Sequence, residues 1–336
     1  KQYLVKSRAK DQSDNTESPS TGISFYYDTT GPTSNVTFPT NNAWRKTMAV
    51  NISGQASDLT TPVTMVSMSV KNVTNIQWWT GSSWVGSETY LLASGGSNWT
   101  FPGSTVSWII GKDYLLSSIA MDQAGNAQAA GSSISFKYDT TNPTSLITNP
   151  ANNAKLKTAP TLTGVSGDPI VSPATIAAGV LRVQIQIKNQ TDTTYWNGAA
   201  FDTIASFVDA TGTTPWNYGN PGWTSGKQYV ITSRADDVAT NQESSPPSIS
   251  FIFDQDPPVT TITFPTNNGN YNSVPRVTGV TTDVASGVNA ANIFIKIKNE
   301  TNTLWWDGND ITSTSEPAAI AVNNGTNPWD YAFNGL

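Results

Sequence analysis

The chain has 336 residues, of which 37% are hydrophobic and 10% aromatic, enough for several packed cores and too apolar for disorder. Charged residues are only 12% and the net charge is −6, so no basic surface exists to meet nucleic acid or an anionic membrane. Histidine and cysteine are absent, which removes the commonest general base, the usual zinc ligand, disulfides and thiolate chemistry.

In chain order, the first predicted element is the β-rich run from Tyr3 to Ala9, ended by Asp and Asn, followed by Ile23-Ser24-Phe25. A strand holding Gly54 comes next, and then Val66 to Val70, which alternates with period two and so presents one buried and one solvated face. Trp79-Thr80-Gly81 reads as a hairpin tip of two residues, and a variable stretch holding Trp99 and Phe101 follows it. Tyr114 to Asp122 and Ile134 to Asp139 complete the set. The whole order then returns. Lys1-Gln2-Tyr3-Leu4-Val5 recurs as Lys112-Asp113-Tyr114-Leu115-Leu116 and as Lys227-Gln228-Tyr229-Val230-Ile231. Val183 to Ile187 and Ile293 to Ile297 repeat the alternating strand, while Trp196-Asn197-Gly198 and Trp306-Asp307-Gly308 repeat the tip. A period of about 112 residues is a whole small domain and not a solenoid turn.

The expected organisation is therefore 1–27 as the last two strands of a preceding repeat, 28–138 and 139–253 as complete repeats, and 254–336 as a repeat lacking its last two strands. Seven or so short strands per unit predict an all-β chain of tandem immunoglobulin-like β-sandwich domains in an extended array. The strand Tyr114-x-x-x-Ser118-x-Ala120-x-Asp122, then Ala124-Gly125-Asn126, then Ser135-Phe136-x-Tyr138-Asp139-Thr140-Thr141-x-Pro143 resembles bacterial immunoglobulin-like (Big-type) tandem repeats of very large extracellular surface proteins. Tyr195-Trp196-Asn197-Gly198 and Thr213-Thr214-Pro215-Trp216-Asn217-Tyr218 add to the likeness, which runs over essentially the whole chain. Ala239-Thr240-Asn241 and Asp254-Gln255-Asp256 depart from it. The resemblance implies an extracellular stalk, adhesin or fibre without catalysis.

Three aspartate positions recur: Asp28, Asp139 and Asp254 in the linkers; Asp58, Asp168 and Asp283 four residues after a glycine; and Asp11, Asp122 and Asp237, each with an asparagine at Asn15, Asn126 and Asn241. In a sandwich the B–C and F–G loops share one end with the start of strand A. Asp28, Asp58, Asp122 and Asn126 are thus expected at one junction, and Asp139, Asp168, Asp237 and Asn241 at the next. Clustered carboxylates with amide and backbone oxygens are what Ca²⁺ selects; the alternative is that Asp and Asn only cap turns. The twelve tryptophans admit two roles, packing or stacking on surface glycans, and their recurrence in every unit favours packing. No nucleophile–base arrangement or phosphate-cradling loop is present, and the sequons at Asn35, Asn51, Asn72, Asn98, Asn189, Asn299 and Asn324 are open to glycosylation.

The frame begins within a repeat. Either the chain is a slice of a longer repetitive protein, or protomers join head to tail with the first two strands of one completing the last repeat of another. The expected partners are accordingly neighbouring repeats or protomers in a head-to-tail fibre, with surface glycans as the alternative and no nucleic acid or membrane contact.

Overall fold

Short runs of alternating polarity, punctuated by Gly, Pro, Asn and Asp, fold here as antiparallel strands that bury every second side chain. In the computed structural model, which describes residues 1–307, 309, 311–322 and 327–332, the chain is almost wholly β. An N-terminal hairpin pairs β1 (Gln2–Val5) with β2 (Ile23–Tyr26). The first complete sandwich follows, with β3 (Thr33–Phe38), β4 (Ala43–Arg45), β5 (Asn51–Ser57), β6 (Val63–Asn72), β7 (Gln77–Trp79), β8 (Trp84–Val85), β9 (Leu91–Leu92), β10 (Asn98–Pro102), β11 (Lys112–Asp122) and β12 (Ser132–Tyr138). One sheet has the order β10-β5-β3, and the facing sheet runs β4-β12-β11-β6-β7-β8 with β9 also on β6.

The second sandwich repeats this plan. Its strands are β13 (Thr144–Asn149), β14 (Ala154–Leu156), β15 (Leu162–Gly167), β16 (Val180–Asn189), β17 (Thr194–Trp196), β18 (Phe201–Asp202), β19 (Val208–Asp209), β20 (Trp216–Tyr218), β21 (Lys227–Asp237) and β22 (Ser248–Phe253). They form the sheets β13-β15-β20 and β14-β22-β21-β16-β17-β18, with β19 on β16. The last unit has β23 (Val259–Phe264), β24 (Arg276–Thr282), β25 (Phe294–Ile295), β26 (Trp305–Trp306), β27 (Ile311–Ser313), β28 (Ile320–Ala321) and β29 (Trp329–Ala332). It forms the sheet β23-β24-β29 and the pairs β25–β28 and β26–β27; no strand equivalent to β11 or β12 follows among the described residues. Asn324 and Gly308 lie outside the described residues.

Two devices recur in the cores. Gly54, Gly164 and Gly279 stand opposite Trp99, Trp216 and Trp329 across paired strands. A Cβ on any of them would come within 2.1 to 2.2 Å of the indole ring. The glycine exists so that a tryptophan can lie flat over the backbone, and all three indoles are essentially inaccessible. Losing such a ring costs on the order of 3–5 kcal/mol. The second device is aromatic: Tyr114 stacks on Phe136 and Tyr229 on Phe251, with centroids 5.4 and 5.6 Å apart. The Tyr114 hydroxyl accepts from the Ile109 amide at 2.7 Å, and the Tyr229 hydroxyl from the Thr224 amide at 2.8 Å. These are tyrosine corners, which pin the entry of the long strand.

The hairpin tips differ from expectation. Trp79 pairs with Trp84 and Trp196 with Phe201, so the connections span four residues, not two. Thr80 donates its amide to the Ser83 carbonyl, and the Asn197 side chain accepts from the Ala199 and Ala200 amides. Side-chain capping closes the wider loop, and only the glycines, Gly81 and Gly198, take positive φ.

Candidate functional site at the repeat junctions

Strand register explains why distant aspartates meet. Antiparallel pairing sets Thr33 at the start of β3 against Ser57 at the end of β5, which carries Asp28 towards Asp58. The pairing of β6 with β11 sets Val63 against Asp122, bringing the end of β11 to the same pole. Asp28, Asp58 and Asp122 each offer an oxygen within 4.8 Å of the others, and so do Asp139, Asp168 and Asp237.

An asparagine clasps each group. The Asn126 amide and side-chain nitrogen donate to the two Asp122 oxygens at 2.8 and 2.9 Å, and its Nδ2 also reaches the Asp28 carbonyl at 3.3 Å. Asn241 donates likewise to Asp237 at 2.7 Å through both nitrogens, and to the Asp139 carbonyl at 3.0 Å. The turn between the partners needs one left-handed residue. Gly125 supplies it in the first repeat and Thr240, at φ 72°, in the second, so the substituted tripeptide keeps the geometry at a cost in backbone strain.

The two groups differ in electrostatics. Asp28 is held at about 2, first by the Thr61 hydroxyl at 2.7 Å and then by the Thr30 hydroxyl. Asp168 is pushed up to about 6, mainly by burial; the neighbouring Asp139 and Asp237 charges add to this and the Gly179 amide opposes it. Burial raises Asp237 too. Backbone amides also donate here, Thr141 and Ala178 to Asp139 at 2.8 and 2.7 Å and Gly179 to Asp168 at 2.7 Å. The remaining oxygen of Asp168, Oδ1, is buried with no hydrogen-bond partner. Such an atom is costly unless something positive meets it. The donor set of carboxylates around an orphaned buried oxygen fits a hard cation such as Ca²⁺, for which Asp168, Asp139 and Asp237 would be the ligands.

At the third junction the Ser286 amide donates to both Asp254 and Asp283 at 3.0 Å. The same clasp occurs in the N-terminal hairpin, where Asn15 donates to Asp11 through its amide and its Nδ2 at 2.9 Å each. Sequence inspection found these aspartates because they recur. It missed Thr61, Ala178 and Gly179, whose contribution is a hydroxyl or a backbone amide and leaves no residue-type signature.

The tryptophans divide as doublets in a strand should. Trp79 and Trp306 are buried, while Trp78 and Trp305 carry Lys71 and Lys298 over their rings at 4.5 and 5.6 Å. Trp99, Trp216 and Trp329 are core.

Neither a family model nor a curated protein matches the chain in sequence. Among solved structures it is similar to the fibronectin(III)-like modules of Clostridium thermocellum CbhA, at 15% identity, over 66% of this chain and 94% of that one, with a TM-score of 0.34. It is also similar to a Ca²⁺-stabilized adhesin with which an Antarctic bacterium reaches out and binds ice, at 14% identity, over 88% and 66%, TM-score 0.35. A third is a 1.5-MDa bacterial ice-binding adhesin, at 11% identity, over 80% of each chain, TM-score 0.37. No described helix is long and apolar enough to cross a membrane.

Proposed function

We propose that the chain is a non-enzymatic extracellular structural repeat protein: a stalk or filament of immunoglobulin-like sandwiches whose junctions are stiffened by Ca²⁺. The observation that carries this reading is the pair of tricarboxylate groups at successive repeat boundaries, each tied by an asparagine to a linker carbonyl. An ion there offsets the mutual repulsion and occupies the orphaned oxygen of Asp168. It also fixes the chain direction between one sandwich and the next, which is what a reaching structure requires. The surface favours the same role, being rich in Thr, Ser and Asn and poor in charge.

Calorimetric titration of the intact chain with Ca²⁺ tests it. Binding is expected with Kd on the order of 10⁻⁵ to 10⁻³ M, together with a rise in melting temperature. Asp168→Asn is expected to remove the site at the second junction and leave the first. No heat and no melting shift at 10-fold higher Ca²⁺ would sink the reading.

A further inference from the structure

The three Trp hairpin tips carry different residues before their glycine: Thr80, Asn197 and Asp307. In the first repeat the Thr80 hydroxyl closes the turn by accepting from the Ser83 amide at 3.1 Å. In the third, Asp307 accepts from the Asn309 amide at 2.8 Å. A hydroxyl or a carboxylate thus serves the turn as an amide does, and closure does not require asparagine. What asparagine adds is chemistry. When glycine follows it, the next backbone nitrogen is unshielded by any side chain and can attack the asparagine's own Cγ.

The tip of the second repeat brings the groups of that reaction together. Asn197 and Gly198 are exposed, and Gly198 takes φ 103°. The Gly198 amide, which is the nucleophile, makes no hydrogen bond among the described residues. Oδ1 of Asn197 accepts from the Ala199 and Ala200 amides at 2.9 Å each, so two fixed dipoles face the atom on which negative charge develops. Nδ2, the leaving group, donates to Oδ2 of Asp202 at 2.6 Å, and the Ile204 amide holds the other oxygen of that carboxylate at 2.8 Å. A second Asn-Gly pair, Asn268-Gly269, lacks this arrangement. Its glycine amide is tied to the Thr266 carbonyl at 3.0 Å, and the Asn268 side chain makes no hydrogen bond among the described residues.

We propose that Asn197 is a self-modifying site, converted without an enzyme into aspartyl and isoaspartyl forms. The Gly198 nitrogen bonds to Cγ of Asn197 and gives its proton to water. The bond from Cγ to Nδ2 then breaks, and that nitrogen takes up a proton and leaves as ammonia, its passing positive charge stabilised by the Asp202 carboxylate. Water opens the cyclic imide that remains. Cleavage at Cγ gives aspartate, and cleavage at the main-chain carbonyl gives isoaspartate, with the backbone rerouted through the side chain. Either product sets a carboxylate beside Asp202 where a hydrogen bond stood. In the third repeat, where an aspartate already occupies the tip, its partner is instead the Thr312 hydroxyl at 3.0 Å. Conversion therefore loosens the β17–β18 pair, whose Trp196 and Phe201 rings pack at 5.3 Å.

Timed peptide mapping of the intact folded chain at neutral pH is the test. Amide loss is expected at Asn197 on the order of 10-fold faster than at Asn268. Methyl transfer by an isoaspartyl methyltransferase should locate isoaspartate at position 197. Denaturant should slow Asn197 and bring the two sites to a common rate, since both are then Asn-Gly in a flexible chain. Asp202→Asn should slow Asn197 towards the Asn268 rate and leave Asn268 unchanged, with Asp202→Glu restoring part of the difference. Equal rates at the two sites in the folded chain, or an Asn197 that reacts more slowly folded than in denaturant, would mean that the tip only holds an inert asparagine. Either result overturns the proposal whatever the Asp202 variants do.

Discussion

Oδ2 of Asp168 accepts from the Gly179 amide while Oδ1 is buried without a partner, beside Asp139 and Asp237. Burial is the main reason its acidity sits at about 6, against 3.8 for the free side chain. A carboxyl whose folded value is raised stabilises the fold only while it is protonated. That contribution is complete below about 4 and is lost as pH rises through about 6. In chelator, wild-type stability should therefore fall relative to Asp168→Asn as pH goes from 4 to 7, because asparagine keeps the acceptor for Gly179 and does not ionise. The same comparison in Ca²⁺ should be reversed at neutral pH, where the carboxylate is a ligand and the amide a poor one. Thermal melts of both proteins across that range check it, and parallel profiles in chelator would remove the electrostatic argument. Asp28, held at about 2 by Thr61, has the opposite sign and cancels in the comparison, since it is common to both proteins.

At the scale of the element, the strand carrying Gly164 and the strand carrying Trp216 approach more closely than any side chain would permit. A Cβ at Gly164 would sit 2.1 Å from the Leu146 carbonyl oxygen and 2.2 Å from the indole. One neighbour is backbone and the other a fully buried indole, so neither can yield cheaply. Gly164→Ala is expected to destabilise the second repeat by about 2–3 kcal/mol. Gly167→Ala, in the same strand with nothing within 4 Å of its added carbon, should be close to neutral. Denaturant unfolding of the two variants is the check; equal midpoints would mean that the sheets shift freely. The glycine, the alternating strand and the tryptophan were all legible from their recurrence. Other elements were not. β4 and β14 have three residues each and pair in parallel with β12 and β22, a length too short to show a period and a position set by the partner's backbone. The tip loops, read as two residues, are four, because an Asn197 side chain can close a wider turn as well as a left-handed backbone can. The tyrosine corners were invisible because their acceptor and donor are backbone groups five residues away.

For the whole molecule, stiffness depends on few contacts, all near the linkers. Between the first and second repeats the Gly111 carbonyl accepts from the Thr175 amide at 3.0 Å and from its hydroxyl at 3.1 Å, and Lys46 donates to the Thr240 carbonyl at 2.8 Å. Asn241 fastens the Asp139 carbonyl to the turn after β21. The Lys46 and Thr240 groups are exposed, where a hydrogen bond adds little net stability. On the proposed reading the aspartate group and its asparagine, beside the Gly111–Thr175 pair, set how firmly the sandwiches are aligned. In Ca²⁺ the scattering of the intact chain should give a narrow distribution of end-to-end lengths. Chelator should broaden it and shorten the mean, because the three carboxylates then repel and the linker gains conformations. Asn241→Ala should reproduce part of that change even with Ca²⁺ present, since the linker carbonyl loses its tie while the carboxylates keep the ion. Measurements at low concentration separate this flexing from association of copies. Scattering curves that superimpose for wild type in Ca²⁺, wild type in chelator and Asn241→Ala would mean that stiffness comes from the direct contacts of Gly111, Thr175 and Lys46. Their removal would then be the change that bends the rod.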